Sequence, residues 1–368
     1  MRTATITFHA PNNNGSFFQA YALQKVVIDQ IGVQNVIIDF QTEKQIHQYS
    51  VLRPAKSIRD IAKNIVSLLH YRKLTVRNTR FEEMREKYLR LSERCSEADQ
   101  AIELANNYDL VIAGSDQIWN TGAPDFSSAY LLPGIKTKKV SYAVSLGSYS
   151  TEANLKQYKS AIQEFSYISV REATAKRFLT ELLGRSIDLT CDPTLLLNKA
   201  DYEEMMDPKP LIGNDYLFFY SINYHPQVLE TARKISEQLQ LPVITAFTSF
   251  HTIICEKYGL KVVYDAGPSE FLNLLVNAKG ILTNSFHGTA FSIIFEKPLL
   301  HICDVVDGSI KRDDRIDDCL DTLGMTSCNC SINSASYSFT DIPWDSVREK
   351  REEMRNHAIN FLRIAVCE

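Results

Sequence analysis

The sequence predicts an α/β protein of two domains, each a mostly parallel sheet covered by helices, with a cleft between them. Three observations predict it. Strand and helix patterns alternate from residue 3 to about residue 304, the signature of parallel-sheet units. The 368 residues exceed what one hydrophobic core usually organises. The stretch Asn198 to Asp215, which holds Pro208, Pro210 and Gly213, interrupts the alternation before it restarts. The expected division is a Rossmann-like domain over residues 1–205, with a helical insertion about 50–100, and a second over 206–342. A last helix within 343–368 can return to the first domain.

Thr3 to His9 alternates as a strand, and Pro11-Asn12-Asn13-Asn14-Gly15 is a turn. Phe17, Ala20, Leu23, Val27 and Ile31 then recur at helical spacing, and Val36 to Phe40 is a second strand. In such a βαβ unit the loop after the first strand lies at the carboxyl edge of the sheet, where ligands bind. Asn13, Gly15 and Gln19 are therefore site candidates, unless Asn-Gly only makes the turn and Gln19 lies on the surface. From Lys56 to Tyr71, Ile58, Ile61, Ala62, Ile65, Leu68 and Leu69 share a helical stripe, with Lys56, Arg59 and Lys63 off it. Such a stripe normally marks core packing, here an excursion packed on the first domain. The alternative is a membrane-surface helix that approaches a lipid-borne substrate.

The strand Tyr108 to Ala113 ends in Gly114-Ser115-Asp116-Gln117-Ile118-Trp119-Asn120. Asp116 and Asn120 suit sugar hydroxyls and Trp119 the C–H face of a sugar ring; otherwise Asp116 only caps a helix. Strands around Val140 to Val144 and Tyr167 to Val170, with helices from about Thr151 to Phe165 and Ala173 to Leu183, continue the sheet as far as Asp188 to Thr194. Arg171 follows a strand and offers a fork of donors for a carboxylate or phosphate, or else a structural pair with Glu172 or Asp192.

The second alternation runs through Leu217 to Ile222, Pro226 to Leu239, Val243 to Phe247 and Lys261 to Tyr264, then a helix opened by Gly267-Pro268-Ser269-Glu270. Ile281 and Leu282 make a short strand, Thr283, Asn284 and Ser285 a polar turn, and His287-Gly288-Thr289 opens a helix closed by Lys297-Pro298. A helix start leaves backbone N–H groups unpaired and carries a positive dipole end, so it favours a phosphate or carboxylate over Ser285, Gly288 and Thr289. His287 beside it can pass a proton near neutral pH, or else is a capping or core histidine. After the strand Leu299 to Asp304, Arg312 and Arg315 offer further positive charge, unless Asp313, Asp314, Asp317 and Asp318 pair them on a solvated helix. The last helix covers about Trp344 to Val366.

Hydrophobic residues are 45% and charged residues 23% of the chain, which excludes a largely disordered protein. A formal net charge of -4 argues against a general nucleic-acid binder. The eight cysteines show no CxxC pair and no metal-ligand spacing with histidine. The N-terminus lacks a signal-peptide core, and no apolar run reaches spanning length. The expectation is a cytoplasmic protein with reduced thiols and no metal.

The stretches NNNGSFFQAYALQ (12–24), LVIAGSDQIWN (110–120), VSYAVSLG (140–147), ISVRE (168–172), CDPTLLL (191–197) and TNSFHGTAFSIIFEKP (283–298) resemble, in order, the motifs of the polysaccharide pyruvyl transferase family. The resemblance implies a GT-B-like architecture and phosphoenolpyruvate as co-substrate, with no other cofactor. The implied acceptor is a sugar of a bacterial surface polysaccharide, exopolysaccharide or capsule, or its lipid-linked oligosaccharide precursor. It implies donor-site roles for Arg171 and His287, phosphate at Gly288-Thr289, and Asn13, Gly15, Asp116 and Trp119 facing the acceptor. Asn284 stands where many relatives have an aspartate. The implied reaction bridges two sugar hydroxyls with a pyruvate ketal, possible at the inner face of the cell membrane. Two other readings compete. One is a GT-B glycosyltransferase using a nucleotide sugar, with Glu270 on the ribose; the other is a non-catalytic glycan-binding member of a polysaccharide assembly. The sequence does not specify an oligomeric state.

Overall fold

Short strands buried on both faces make two parallel sheets. The computed structural model describes residues 1–54, 57–147, 152–306, 309–332 and 334–368. The first sheet contains β1 (Arg2–Ile6), β2 (Gln34–Phe40), β3 (Leu91–Cys95), β4 (Leu110–Ala113), β5 (Lys138–Val144), β6 (Tyr167–Val170) and β7 (Asp188–Leu189), in the order β3-β2-β1-β4-β5-β6-β7. The second contains β8 (Leu217–Tyr220), β9 (Val243–Ala246), β10 (Lys261–Val263), β11 (Gly280–Thr283), β12 (Leu299–Ile302) and, after the hairpin β13 (Asp304–Val306) and β14 (Ser309–Lys311), β15 (Asn329–Cys330). Its order is β10-β9-β8-β11-β12-β15. Each order reverses once, between β1 and β4 and between β8 and β11. The loops leaving those strands are where such sheets receive ligands.

The first unit takes Met1–Ser50, Met84–Leu197 and Arg351–Glu368; the second takes Val51–Glu83 and Asn198–Lys350. In the first, α1 (Asn14–Val26) is extended by a π-helical turn to Ile31, and Gly32 ends it at φ 81°. Trp119, Tyr130, Phe165 and the apolar residues of β1 and β4 build its core. The end of the long C-terminal helix belongs here: Arg355 Nε donates to the Leu196 carbonyl at 2.7 Å.

The region expected as an insertion in the first domain is split instead. Residues 51–83 belong to the second unit. They hold α2 (Ile58–Leu69) and most of α3 (Tyr71–Tyr88). Buried Leu74 joins the second core, Arg77 Nε donates to the Phe247 carbonyl at 3.0 Å, and Arg80 pairs with Glu270 at 3.2 Å. These side chains supply the anchorage that the apolar stripe of α2 was expected to supply. Lys56 and Thr151 lie outside the described residues, as does the side chain of Arg59. No helix among the described residues is long and apolar enough to cross a membrane.

In the second unit, β11 leads into α4 (Phe286–Ile294), and Gly288 sits where this helix meets the strand. A Cβ on Gly288 would lie 2.2 Å from Thr283 Oγ1 and 3.2 Å from the Tyr220 ring. The space on the Cβ side of this glycine is thus taken by helix–strand packing. His301, on β12, is buried and its Nδ1 meets Asn329 Oδ1 at 2.8 Å.

Gly288→Ala is expected to destabilise the protein by about 1–3 kcal/mol, the usual cost of overpacking, in urea unfolding. His301 supplies a pH test. Burial lowers its pKa below the ordinary 6.5, so the unfolded chain takes up a proton that the folded chain refuses. Its contribution to stability is full above about 6.5 and is lost as pH falls below that value. Melting temperatures of His301→Gln should therefore fall less steeply than wild type on acidification from neutral pH.

Candidate active site

The carboxyl edge of the first sheet gathers three predicted motifs. Asn13 caps α1 and accepts from the Gly15 N–H at 2.9 Å, so this pair fixes the helix start. The next residue, Asn14, is buried, and its Oδ1 has no hydrogen-bond partner among the described residues. Gln19 is not a surface residue. Its Nε2 donates to the Phe8 carbonyl (2.7 Å), the Ser16 carbonyl (3.0 Å) and Thr7 Oγ1 (3.0 Å), while its Oε1 accepts from Ser115 N–H (3.2 Å). It ties β1, α1 and the turn after β4 together and is fully buried.

That turn is tight. Gly114 has φ 136°, and a Cβ there would lie 2.1 Å from the Tyr142 carbonyl oxygen. Asp116 follows at φ 67°. One carboxylate oxygen accepts from Ser16 Oγ at 2.9 Å, the other from Gln117 N–H at 2.8 Å. Trp119 is fully buried: its indole donates to the Tyr130 carbonyl at 3.2 Å and its ring meets Phe165 edge-on at 5.2 Å. The expected sugar platform is therefore a core side chain. Asn120 is also used internally, donating to Gln117 Oε1 at 2.8 Å and accepting from Gly122 N–H at 3.1 Å. Within residues 111–120 only Gln117 is not buried.

Arg171 leaves the end of β6 with its side chain only 1% exposed. Its Nη1 donates to Asp192 at 2.5 Å, Nε lies 3.6 Å from Glu172 and Nη2 3.7 Å from Asp116. The structural pairing with Asp192 and Glu172 is what the protein builds. Three carboxylates thus lie within 4 Å of one guanidinium. Asp125, outside the sequence motifs, has its carboxyl raised above the ordinary 3.8, by burial first and with the Asp116 charge adding.

The second sheet offers a different edge. Thr283 Oγ1 donates to the Tyr220 carbonyl at 2.5 Å and accepts from Ser285 N–H at 3.0 Å, which shapes the turn before α4. Ser285 is the N-cap, but its side chain makes no capping bond. Thr289 is buried, and its hydroxyl has no hydrogen-bond partner among the described residues. Within residues 281–290 only His287 is not buried. The Asn284 amide uses both its functions: Oδ1 accepts from Ser221 Oγ (2.8 Å) and Ile222 N–H (3.1 Å), and Nδ2 donates to the Asn223 carbonyl (3.0 Å). An aspartate could not make the last bond.

Asn284 thereby holds the loop that walls a cavity of about 470 Å³, lined by Asn223, Tyr224, His225, Phe250, His251 and Lys257 among others. Two imidazoles and an ammonium group suit an anion, while the Tyr224 phenol, pushed up by burial, stays protonated. The sequence signal for this cavity was the position of Asn223 to His225 just past β8; it went unread because no glycine or motif marks it. Arg312 and Arg315 are not delivered to the turn as free cations. Arg312 Nε pairs with Asp317 at 2.9 Å, and Arg315 Nε donates to Asp313 at 2.8 Å. Glu270 accepts from Gly267 N–H at 2.9 Å and pairs with Arg80, so a ribose would find it occupied.

Solved structures similar to the chain are sugar-nucleotide enzymes of low identity. A candidate UDP-N-acetylglucosamine 2-epimerase from Listeria monocytogenes has a TM-score of 0.56 at 8% identity, covering 100% of this chain and 90% of that one. The S. aureus MnaA–UDP structure has 0.51 at 11%, covering 98% and 91%. The Methanocaldococcus jannaschii UDP-GlcNAc 2-epimerase has 0.50 at 13%, covering 97% and 93%. These likenesses show the fold alone, two parallel-sheet α/β domains of GT-B type. No curated protein matches in sequence. The profile described as "Polysaccharide pyruvyl transferase" matches residues 13–302, from the cap of α1 to the end of β12, and the chain belongs to that family.

Proposed function

We propose that the protein transfers the pyruvyl group of phosphoenolpyruvate to a sugar of a surface polysaccharide or its lipid-linked precursor, forming a ketal and releasing phosphate. The donor assignment is carried by His287, half-buried where the other residues of 281–290 are buried, with its Nε2 atom enclosed by protein. It stands in the first turn of α4, where an anion is favoured, three residues after Asn284, which bonds the loop lining the cavity of His225, His251 and Lys257.

The reaction requires a proton at the methylene carbon of the donor, which makes the central carbon an oxocarbenium-like electrophile. One sugar hydroxyl adds there and loses its proton. A second hydroxyl then displaces phosphate and loses its own proton, closing the ketal. His287 is the group of the turn suited to these proton transfers, and Lys257 offers charge, with the two cavity imidazoles as ring N–H donors, for the departing phosphate.

Hydroxyl recognition falls to the first sheet's edge. Asp116 accepts from Ser16, Gln117 is half-buried with its Oε1 accepting from Asn120, and the Asn14 amide is buried with a carbonyl oxygen free of protein partners among the described residues. Arg171 acts here as a positioning residue that holds Asp116 and Glu172. The nucleotide-sugar alternative loses its ribose ligand, since Glu270 is engaged by Gly267 and Arg80.

Calorimetry with phosphoenolpyruvate should show saturable binding that UDP does not compete. His287→Ala should lower phosphate release with acceptor present by about 10²–10⁴-fold, the range for a lost acid or base. Nucleotide binding without phosphoenolpyruvate binding would reverse the assignment. Arg171→Ala should cost about 3–5 kcal/mol in urea unfolding, because Asp192 is left buried without its cation. Unchanged stability with lost donor binding would instead make Arg171 a direct donor ligand.

A further inference from the structure

The apolar stripe of α2 faces outward. Ile61, Ile65, Leu68 and Leu69 are 49%, 58%, 60% and 76% exposed, although their spacing places them on one helical face. The polar side of the helix bonds to the preceding loop and to its own cap. Asn64 accepts from the Arg53 N–H at 2.9 Å and donates to the Arg53 carbonyl at 2.8 Å, and Ser57 caps the first turn through the Asp60 N–H at 3.1 Å. The next helix is fixed to the second unit by Leu74, Arg77 and Arg80, and His70 stacks on Tyr264 at 3.8 Å. Tyr71 and Val76 extend the exposed apolar surface, at 46% and 42%. A helix held by its polar face, with four large aliphatic side chains in water, carries a hydrophobic cost that a covering surface would remove.

We propose that this face docks the protein on an anionic lipid bilayer. Charge selects this occupant. Residues 57–73 carry four basic side chains (Arg59, Lys63, Arg72, Lys73) and one acidic (Asp60), a net of +3, in a chain whose formal net charge is -4. Arg72 and Lys73 are exposed just beyond Leu69. Aliphatic side chains that insert at the acyl boundary, flanked by cations at headgroup level, are the features of an interfacial amphipathic helix. An oily protein partner would not need the cations, and a nucleic acid would not need the aliphatic stripe. The arrangement supplies a membrane-surface position for an enzyme acting on a lipid-linked acceptor, but it rests on α2 and its flanks alone.

Co-sedimentation of the full chain with vesicles tests it without any substrate, so its outcome is separate from that of the pyruvyl-transfer reading. Wild type should pellet with phosphatidylcholine vesicles containing about 30 mol % phosphatidylglycerol, and far less with phosphatidylcholine alone. The triple variant Ile65→Ser, Leu68→Ser, Leu69→Ser should keep the wild-type thermal unfolding and lose at least about tenfold in partitioning. Arg72→Gln with Lys73→Gln should weaken only the anionic-lipid increment. Absence of wild-type binding to the anionic vesicles, or equal binding by the triple variant, would overturn the proposal. So would a lipid-free dimer in sedimentation velocity that the triple variant converts to monomer, since a second copy would then cover the stripe.

Discussion

The buried guanidinium of Arg171 is the charge on which the carboxyl edge of the first sheet depends. The turns after β4, β6 and β7 each deliver a carboxylate to it: Asp116, Glu172 and Asp192. Buried carboxylates without a cation would lack solvation and repel one another. Each also accepts local hydrogen bonds. Asp192 accepts from the Thr194 N–H and hydroxyl, Asp116 from Ser16 and Gln117, and Glu172 from Ser145. One cation therefore fixes several loops and the first turn of α1 in a single arrangement, the condition a binding edge needs for its polar groups to be preorganised.

The second sheet solves the same problem without a buried charge. Asn284 bridges the loop after β8 to the turn after β11 with a neutral amide that both accepts and donates. An aspartate there would bring a negative charge to the edge that carries His287, His225, His251 and Lys257. The two edges thus differ in sign: the first is rich in carboxylates and amides, the second in imidazoles and an ammonium group.

The strand–helix alternation made both sheets legible, because strands buried on both faces read as apolar runs between turn residues. β3 was not legible. Its LSERC has only Leu91 and Cys95 as apolar residues, since an edge strand keeps charged side chains in water. Helical spacing identified α2 but not its direction, because periodicity reports which residues share a face and not what that face meets. At the site, the turns were found and several side-chain roles were not. Trp119 and Gln19 are of types that can bind a sugar, and burial alone, invisible in sequence, assigns them to the core and to a backbone clamp. Arg171, Arg312 and Arg315 show the same limit. Sequence marks a cation, whereas its function depends on which carboxylates the fold brings to it.

Gly288 shows how a correct motif can carry a different mechanism from the one it suggests. A glycine after a strand and at a helix start can admit a ligand's phosphate or let the helix approach the strand, and both follow from the missing Cβ. Here Thr283 and Tyr220 occupy that space, so the glycine acts on its neighbour instead. The helix comes close enough to β11 for Thr283 to shape the turn, and this closeness sets where His287 leaves the buried segment. A proton-transfer group displaced by about 1 Å can lose about 10²-fold in rate. The proton transfers proposed for His287 would therefore depend on the packing of the residue beside it.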